Sequence, residues 1–256
     1  MTPMSSAAAL VSALDLPPGA RVDARVPKKM LVEQGAPTAA DKRAIQDGVE
    51  EIQWLAALKP NTVAIPAFAD EVRNYPEIAV IAAIFRAEAR AARLTELIHR
   101  AIPYPVLLIA AGPGGVAVSV APKRAAQNEG GRNVVERVVA VGGLDPFAPP
   151  DAERAFMDSL ALIGLPSRDL SAVYDGWLAR IEALAAARLS GAYVASNDGR
   201  AIERRRAALE SHAQLARDIA GLRAKATREK QLNRRVDLNI EIQRLEQALA
   251  AQKQHL

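Results

Sequence analysis

The segment Ile102 to Arg124, IPYPVLLIAAGPGGVAVSVAPKR, constrains the fold more than any other. Pro103 and Pro105 stop a helix from running through its start. Val106 to Ile109 form a continuous apolar run, Gly112 to Gly115 supply a turn, and Val116, Val118 and Val120 alternate with smaller residues. That order predicts a β-hairpin. Its first strand has almost no polar face, so it must be covered on both sides and lie inside a sheet.

The surrounding segments must supply that cover. Ser5 to Leu14 reads as a short Ala-rich helix closed by Pro17, Pro18 and Gly19. Arg21 to Val26 alternates charged and small apolar residues, as an exposed edge strand does, and Pro27 limits pairing beyond it. Thr38, three residues before Asp41, is a helix N-cap, and the spacing of Ile45, Val49, Ile52 and Leu55 predicts a helix running on to Leu58 before Pro60. Thr62 to Ile65 reads as a short strand. Ile78 to Phe85 reads as a buried strand, followed by a helix over 88–100 whose last turn carries His99 and Arg100, positive charge that would complement the helix dipole. Val134 to Val141 is a further strand, joined to the hairpin by the polar loop 125–132.

Gly142 to Pro150 is a Pro/Gly-rich connector, and everything beyond it reads as helical. Leu170, Tyr174, Trp177, Ile181 and Leu184 form one apolar stripe. From Arg200 to Gln254 there is no proline and one glycine, Gly221, so a helix of more than 50 residues, on the order of 80 Å, is expected. It carries two stripes, Leu215, Ile219, Leu222 and Ala226, then Leu238, Ile242, Leu245 and Leu249, which do not share a register. Such a break fits a coiled-coil stutter or a helix that packs on different partners along its length. The predicted class is α+β: a mixed or antiparallel sheet of about five strands covered by helices, then a helical part ending in a long basic helix, as an αα-hairpin or coiled coil. The expected divisions are an α/β body over 1–148, a helical connector over 149–199 and the basic helix over 200–256.

Charge is distributed unevenly. Residues 200–256 hold 13 Lys and Arg against 7 Asp and Glu, whereas the rest holds 20 against 22. A cationic tail on a slightly acidic body suits a nucleic-acid backbone or an acidic protein face; the alternative is a solvated helix whose charges only keep it soluble. The absence of cysteine excludes disulfides, cysteine zinc sites and cysteine nucleophiles, and points to a reducing cytoplasm. No apolar run approaches the roughly 20 residues that span a bilayer, so no membrane association is expected.

No constellation of residues states a reaction. Gly112, Gly114 and Ala117 match the G-x-G-x-x-A spacing of dinucleotide sites, but that motif needs a helix to open at the turn, and here a strand continues. Lys123 lacks the acidic residue two positions earlier that a PD-(D/E)xK nuclease would place beside it; Glu77 or Glu136 would have to be brought near by folding to hold Mg²⁺. Trp54 is either a stacking platform or a packed residue whose indole N–H needs one acceptor. No metal and no cofactor is expected.

Several segments carry a family resemblance: VPKKML, IQWLAALKPNTV, IPYPVLL, APKR, and EKQLNRRVDLNIEIQRL over 229–245. In these the chain resembles a family of bacterial proteins of unknown function, typically encoded beside a Swi/Snf-type helicase, a DNA methyltransferase and a type III restriction-like subunit. The resemblance implies a role in phage defence or DNA restriction, and singles out Pro27, Lys28, Trp54, Pro103, Tyr104, Pro105, Lys123, Arg234, Arg235 and Asn239. The functional expectation is a non-catalytic accessory protein, binding a helicase or methyltransferase partner and DNA through its basic helix. The residues expected to make those contacts are Lys28, Lys29, Lys123, Arg124, Arg204, Arg205, Arg206, Arg228, Lys230, Arg234, Arg235 and Asn239. The alternatives are a divergent metal-dependent nuclease using Glu77, Glu136 and Lys123, and a homo-oligomer built through the terminal helix.

Overall fold

A computed structural model describes residues 3–125 and 133–253. They divide into two compact units at Ile181 and Glu182, inside a helix. In the first unit the elements are, in order, α1 (Pro3–Ala13), β1 (Arg21–Arg25), α2 (Lys28–Gly35), α3 (Ala39–Gly48), β2 (Val49–Leu58), α4 (Pro60–Val63), β3 (Phe68–Ala69), β4 (Asn74–Tyr75), β5 (Ile78–Phe85), α5 (Ala91–Ala101), β6 (Val106–Gly112), β7 (Gly115–Val120), β8 (Lys123–Ala125), β9 (Asn133–Val135), β10 (Val139–Leu144) and α6 (Asp151–Asp158). The helix α7 (Leu170–Ser190) crosses the boundary, and α8 (Gly199–Arg228) and α9 (Leu232–Gln252) follow in the second unit.

Six strands form one mixed sheet in the order β1-β2-β5-β6-β7-β10, and two short antiparallel pairs, β3 with β4 and β8 with β9, stand apart. The expected hairpin is present, with Gly112 opposite Gly115 and Leu107 opposite Val120. Its first strand lies inside the sheet, and β1 is at the edge. β5 and β6 run parallel, Ala79 opposite Val106 and Ile84 opposite Ala111, so the chain must cross over the sheet between them, and α5 is that crossover.

Both faces of the central strands are buried. Ala79, Ile81, Ala83 and Phe85 of β5, with Val106, Leu108 and Ala110 of β6, join Leu31, Ile45, Leu94, Leu97 and Ile98 in one core. That face is covered by α2, α3 and α5. The alternate residues Ile78, Val80, Leu107 and Ile109 are equally buried on the other face, where α1 packs on β6 and β7. α3 is clamped onto α5 by a two-pronged contact: Arg93 Nε and Nη2 donate to the two Asp41 carboxylate oxygens at 2.8 and 2.9 Å. Thr38 caps α3, its hydroxyl oxygen accepting from the Asp41 N–H at 3.1 Å.

Three elements depart from expectation. The helix from Thr38 stops at Gly48, and 49–58 is strand β2, lying between β1 and β5. Register shifts between Val49 and Glu51 and between Trp54 and Ala56 break the two-residue alternation, which hid the strand beneath an apparent helical spacing. Residues 60–63 form a turn of helix rather than a strand, with Pro60 at its first position and the Lys59 N–H donating to Thr62 Oγ1 at 2.9 Å. The strand expected over 134–141 is split into β9 and β10, of which only β10 pairs with the hairpin. Most of the polar loop 125–132 lies outside the described residues.

In the second unit the single long helix is replaced by two. Glu229 and Gln231 take extended backbone angles, and the Gln231 N–H donates to Glu229 Oε1 at 2.8 Å, so α8 ends at Arg228 and α9 begins at Leu232. The two helices run back along each other as a hairpin. Ile219, Leu222 and Ala226 pack against Leu238, Ile242, Leu245 and Leu249, and Arg223 Nη2 meets Glu246 Oε1 at 2.6 Å. The unmatched stripes are thus two halves of one interface.

A side chain at Gly35 would meet Ala101 Cβ and the Leu97 carbonyl oxygen, each at 2.7 Å, where α2 crosses α5. Nothing lies within 4 Å at Gly221 on α8. Gly35→Ala should therefore lower unfolding free energy by about 1–3 kcal/mol, whereas Gly221→Ala should raise it by up to about 1 kcal/mol. Urea denaturation of the full chain checks both signs.

Candidate functional site

The residues singled out from sequence fall into three places. The first is a buried polar knot in the body. Lys123 is 2% exposed, and its ammonium donates to the Ile102 carbonyl. The Tyr75 hydroxyl donates to the Lys123 carbonyl oxygen at 3.4 Å and accepts from the Lys123 N–H at 3.1 Å. Tyr174 Oη accepts from the Ala121 N–H at 2.7 Å and donates to the Val106 carbonyl at 2.8 Å, and its ring meets Tyr75 edge-on. These contacts fix the strand end that follows the hairpin. Burial pushes the Lys123 ammonium down to about 7. Arg124 is half-buried on β8.

His99 belongs to the same knot. It is fully buried, its Nε2 stands 3.0 Å from Ser119 Oγ, and its Nδ1 has no hydrogen-bond partner among the described residues. Burial first, and the Lys123 charge second, push its pKa down to about 3. A neutral, enclosed imidazole cannot act as the positive partner of the α5 dipole expected of it. Arg100 alone projects there, paired with Glu96 at 2.7 Å.

The carboxylates considered for a metal site bind elsewhere. Glu77 pairs with Lys59 at 2.9 Å, and Glu136 with Arg73 at 3.5 Å. Among the described residues no group of three His, Cys, Asp or Glu could hold a metal ion.

The second place is the sheet edge. Lys28, at the start of α2, donates to the Gln46 carbonyl at 3.3 Å, and Lys29 pairs with Glu33 at 3.7 Å. Partial burial, then the neighbouring Arg86 and Arg25 charges, lower the Lys28 pKa. Trp54 donates to the Ala56 carbonyl at 2.8 Å and leans on Tyr104, with ring centres 6.4 Å apart. It is a packed tryptophan with its one donor satisfied.

The third place is the hairpin. Near its open end Arg206 grips the buried Glu182 at 3.0 Å and Glu203 at 3.4 Å, and Arg205 donates to the Val194 carbonyl at 2.7 Å. These two arginines hold the unit together, while Arg204 beside them is exposed. At the closed end the picture reverses. Residues 223–235 hold six basic side chains against one acidic. Lys225, Arg228, Lys230, Arg234 and Arg235 are exposed and form no ion pair with any described residue. Lys225, Arg228 and Arg234, with Glu229, Asp237 and Leu238, line a groove of about 530 Å³. Asn239 is exposed further along α9. Lys225 is not among the residues expected to make contacts; it stands three residues before Arg228 and so shares its helix face.

The body and hairpin together define an α+β protein with a cationic helical appendage. The family model for DUF4391, a domain of unknown function, matches residues 14–249, and the chain belongs to that family. No curated protein and no solved structure matches the chain. No helix among the described residues is long and apolar enough to cross a membrane.

The buried knot makes stability depend on pH in a defined sense. Between 6.5 and about 3 the unfolded His99 binds a proton that the folded one excludes, so stability falls as the solution is acidified through that window. Asp41, held down to about 2 by Arg93, adds loss in the same direction below 3.8. From about 7 to 10.5 the unfolded Lys123 holds a proton that the folded one releases, so stability rises with pH there. Denaturant midpoints at pH 4, 7 and 9.5 should increase in that order, and Lys123→Met should abolish the alkaline rise.

Proposed function

We propose that this protein is a non-catalytic accessory factor that grips the phosphate backbone of DNA with the closed end of its C-terminal hairpin. It would serve a bacterial restriction or phage-defence assembly containing a helicase or a DNA methyltransferase. One observation carries the reading: the apolar stripes of α8 and α9 are spent on each other, yet the tip keeps five exposed Lys and Arg that form no ion pair with any described residue, three of them lining an open groove. Fixing like charges close together costs free energy through mutual repulsion, and a polyanion offsets that cost by releasing condensed counterions. Arginine suits the role, because its planar fork meets two phosphate oxygens at once. The helicase or methyltransferase partner rests on the resemblance of the quoted motifs to proteins encoded beside such enzymes.

The reading makes a quantitative demand. If about four phosphates are neutralised, the logarithm of affinity should fall against the logarithm of salt with a slope of roughly −3 to −4, about a hundredfold between 50 and 200 mM. Arg228→Gln/Arg234→Gln/Arg235→Gln should reduce that slope to about −1, without lowering thermal stability, since none of the three is buried or paired with a described residue. Fluorescence anisotropy with a duplex of mixed sequence measures both. Equal binding by the triple variant, or none by the parent at 50 mM salt, would refute the assignment.

A further inference from the structure

We infer that the outward face of α9 is a docking surface for an acidic amphipathic helix of a partner protein. Leu232, Val236 and Ile240 recur every four residues and so stack on one face of α9. They are 63%, 46% and 60% exposed. The stripe that packs on α8, formed by Leu238, Ile242, Leu245 and Leu249, lies nearly opposite on the helix. α9 is therefore apolar on two sides, and α8 covers one of them. One stripe is enough to seat a surface helix, and a second, contiguous stripe left in water marks a contact with another molecule.

The surroundings of the stripe say what that molecule is. Asn233, Asn239, Gln243 and Gln247 share its side of the helix, and no charged residue of α9 falls among them. A charge-free centre with charge only at its rim is the make-up of a protein interface, whereas a phosphate backbone needs cations at the point of contact. On that rim the unneutralised charge is positive. Lys230 and Arg235, beside Leu232, are exposed and form no ion pair with any described residue. Glu246 is taken up by Arg223 at 2.6 Å, Arg244 is matched by Glu241 at 2.7 Å, and Asp237 lines the groove among Lys225, Arg228 and Arg234. That groove lies on the other side of α9 from the stripe, so its ligand and a helix on the stripe occupy different faces.

A helix with its own apolar stripe packs ridge against ridge on anchors spaced in this way, and carboxylates along its edge reach Lys230 and Arg235. A second copy of this chain fits worse. Two copies joined through Val236 would set the basic residues of one tip beside those of the other. Three side chains also expose far less than the roughly 800 Å² per partner that a stable dimer buries. The docking surface does not depend on DNA binding at the tip.

The test uses a synthetic helical peptide of about 20 residues, rich in alanine and glutamate, with leucines spaced to match the stripe. Two controls replace its leucines by serine, or its glutamates by lysine. Titrated against the full chain to about 1 mM, where a site of 100 μM dissociation constant is roughly nine-tenths filled, the acidic leucine peptide alone should shift the amide resonances of residues 232–243. Its affinity should fall at least tenfold in Leu232→Gln/Val236→Gln/Ile240→Gln and severalfold in Lys230→Gln/Arg235→Gln. The three apolar side chains are exposed, so the first variant should melt as the parent does and bind duplex DNA unchanged. Absence of binding, equal binding by the serine or lysine peptide, or unchanged affinity in the apolar variant would overturn the inference. Loss of duplex binding in that variant would make the stripe part of the DNA surface and overturn it too. Sedimentation equilibrium should show a monomer, and a parent dimer that the apolar variant dissolves would give the face to a second copy instead.

Discussion

The architecture depends on the parallel contact between β5 and β6. Both strands are apolar on both faces, so neither tolerates water on either side, and the sheet must be sandwiched there. Parallel neighbours cannot be joined by a tight turn, so a crossover is obligatory, and α5 is placed over the sheet by that requirement. The consequences run outward from this one pairing. The end of α5 buries His99 against Ser119 and next to Lys123, and the start of α5 opens a cavity beside the glycine turn. Arg93, in its first turn, fastens α3 by its two contacts to Asp41.

The hairpin follows a different rule. Its helices bury only a narrow strip, in which Ile219, Ala226 and Ile242 are the buried members and four leucines are partly covered. Most of its surface is left to polar and charged side chains. At the open end arginine is structural, since Arg206 neutralises a glutamate that is 3% exposed. At the closed end Arg228, Arg234 and Arg235 are exposed and form no ion pair with any described residue. The same residue type therefore serves cohesion at one end and is available for recognition at the other, a distinction that net charge alone does not make.

Much of the body was legible in the sequence. The hairpin, the buried strand before it, the edge strand with its charged alternation and the Thr38 cap each follow from local patterns that tertiary structure does not override. β2 was hidden because two bulges offset its side chains and because Ile45, Val49, Ile52 and Leu55 imitate a helical stripe across the α3 and β2 junction. The break at 229–231 was hidden for want of a signal: neither glycine nor proline marks it, and only the mismatch between the two leucine-rich stripes betrayed it. His99 looked like a dipole partner from its place in the last turn. Its burial comes from β7, whose Ser119 is distant in sequence. The cavity beside the glycine turn joins that turn to the opening of α5, an earlier segment, and no linear motif records that meeting.

The central claim is that DNA is recognised by the tip of the hairpin. Hydrogen–deuterium exchange of the full chain, with and without duplex DNA at low salt, tests it most directly. Protection concentrated over residues 223–240, with the strands of the body unchanged, is the predicted result. Protection falling on the body instead, or no change anywhere at saturating DNA, would contradict it.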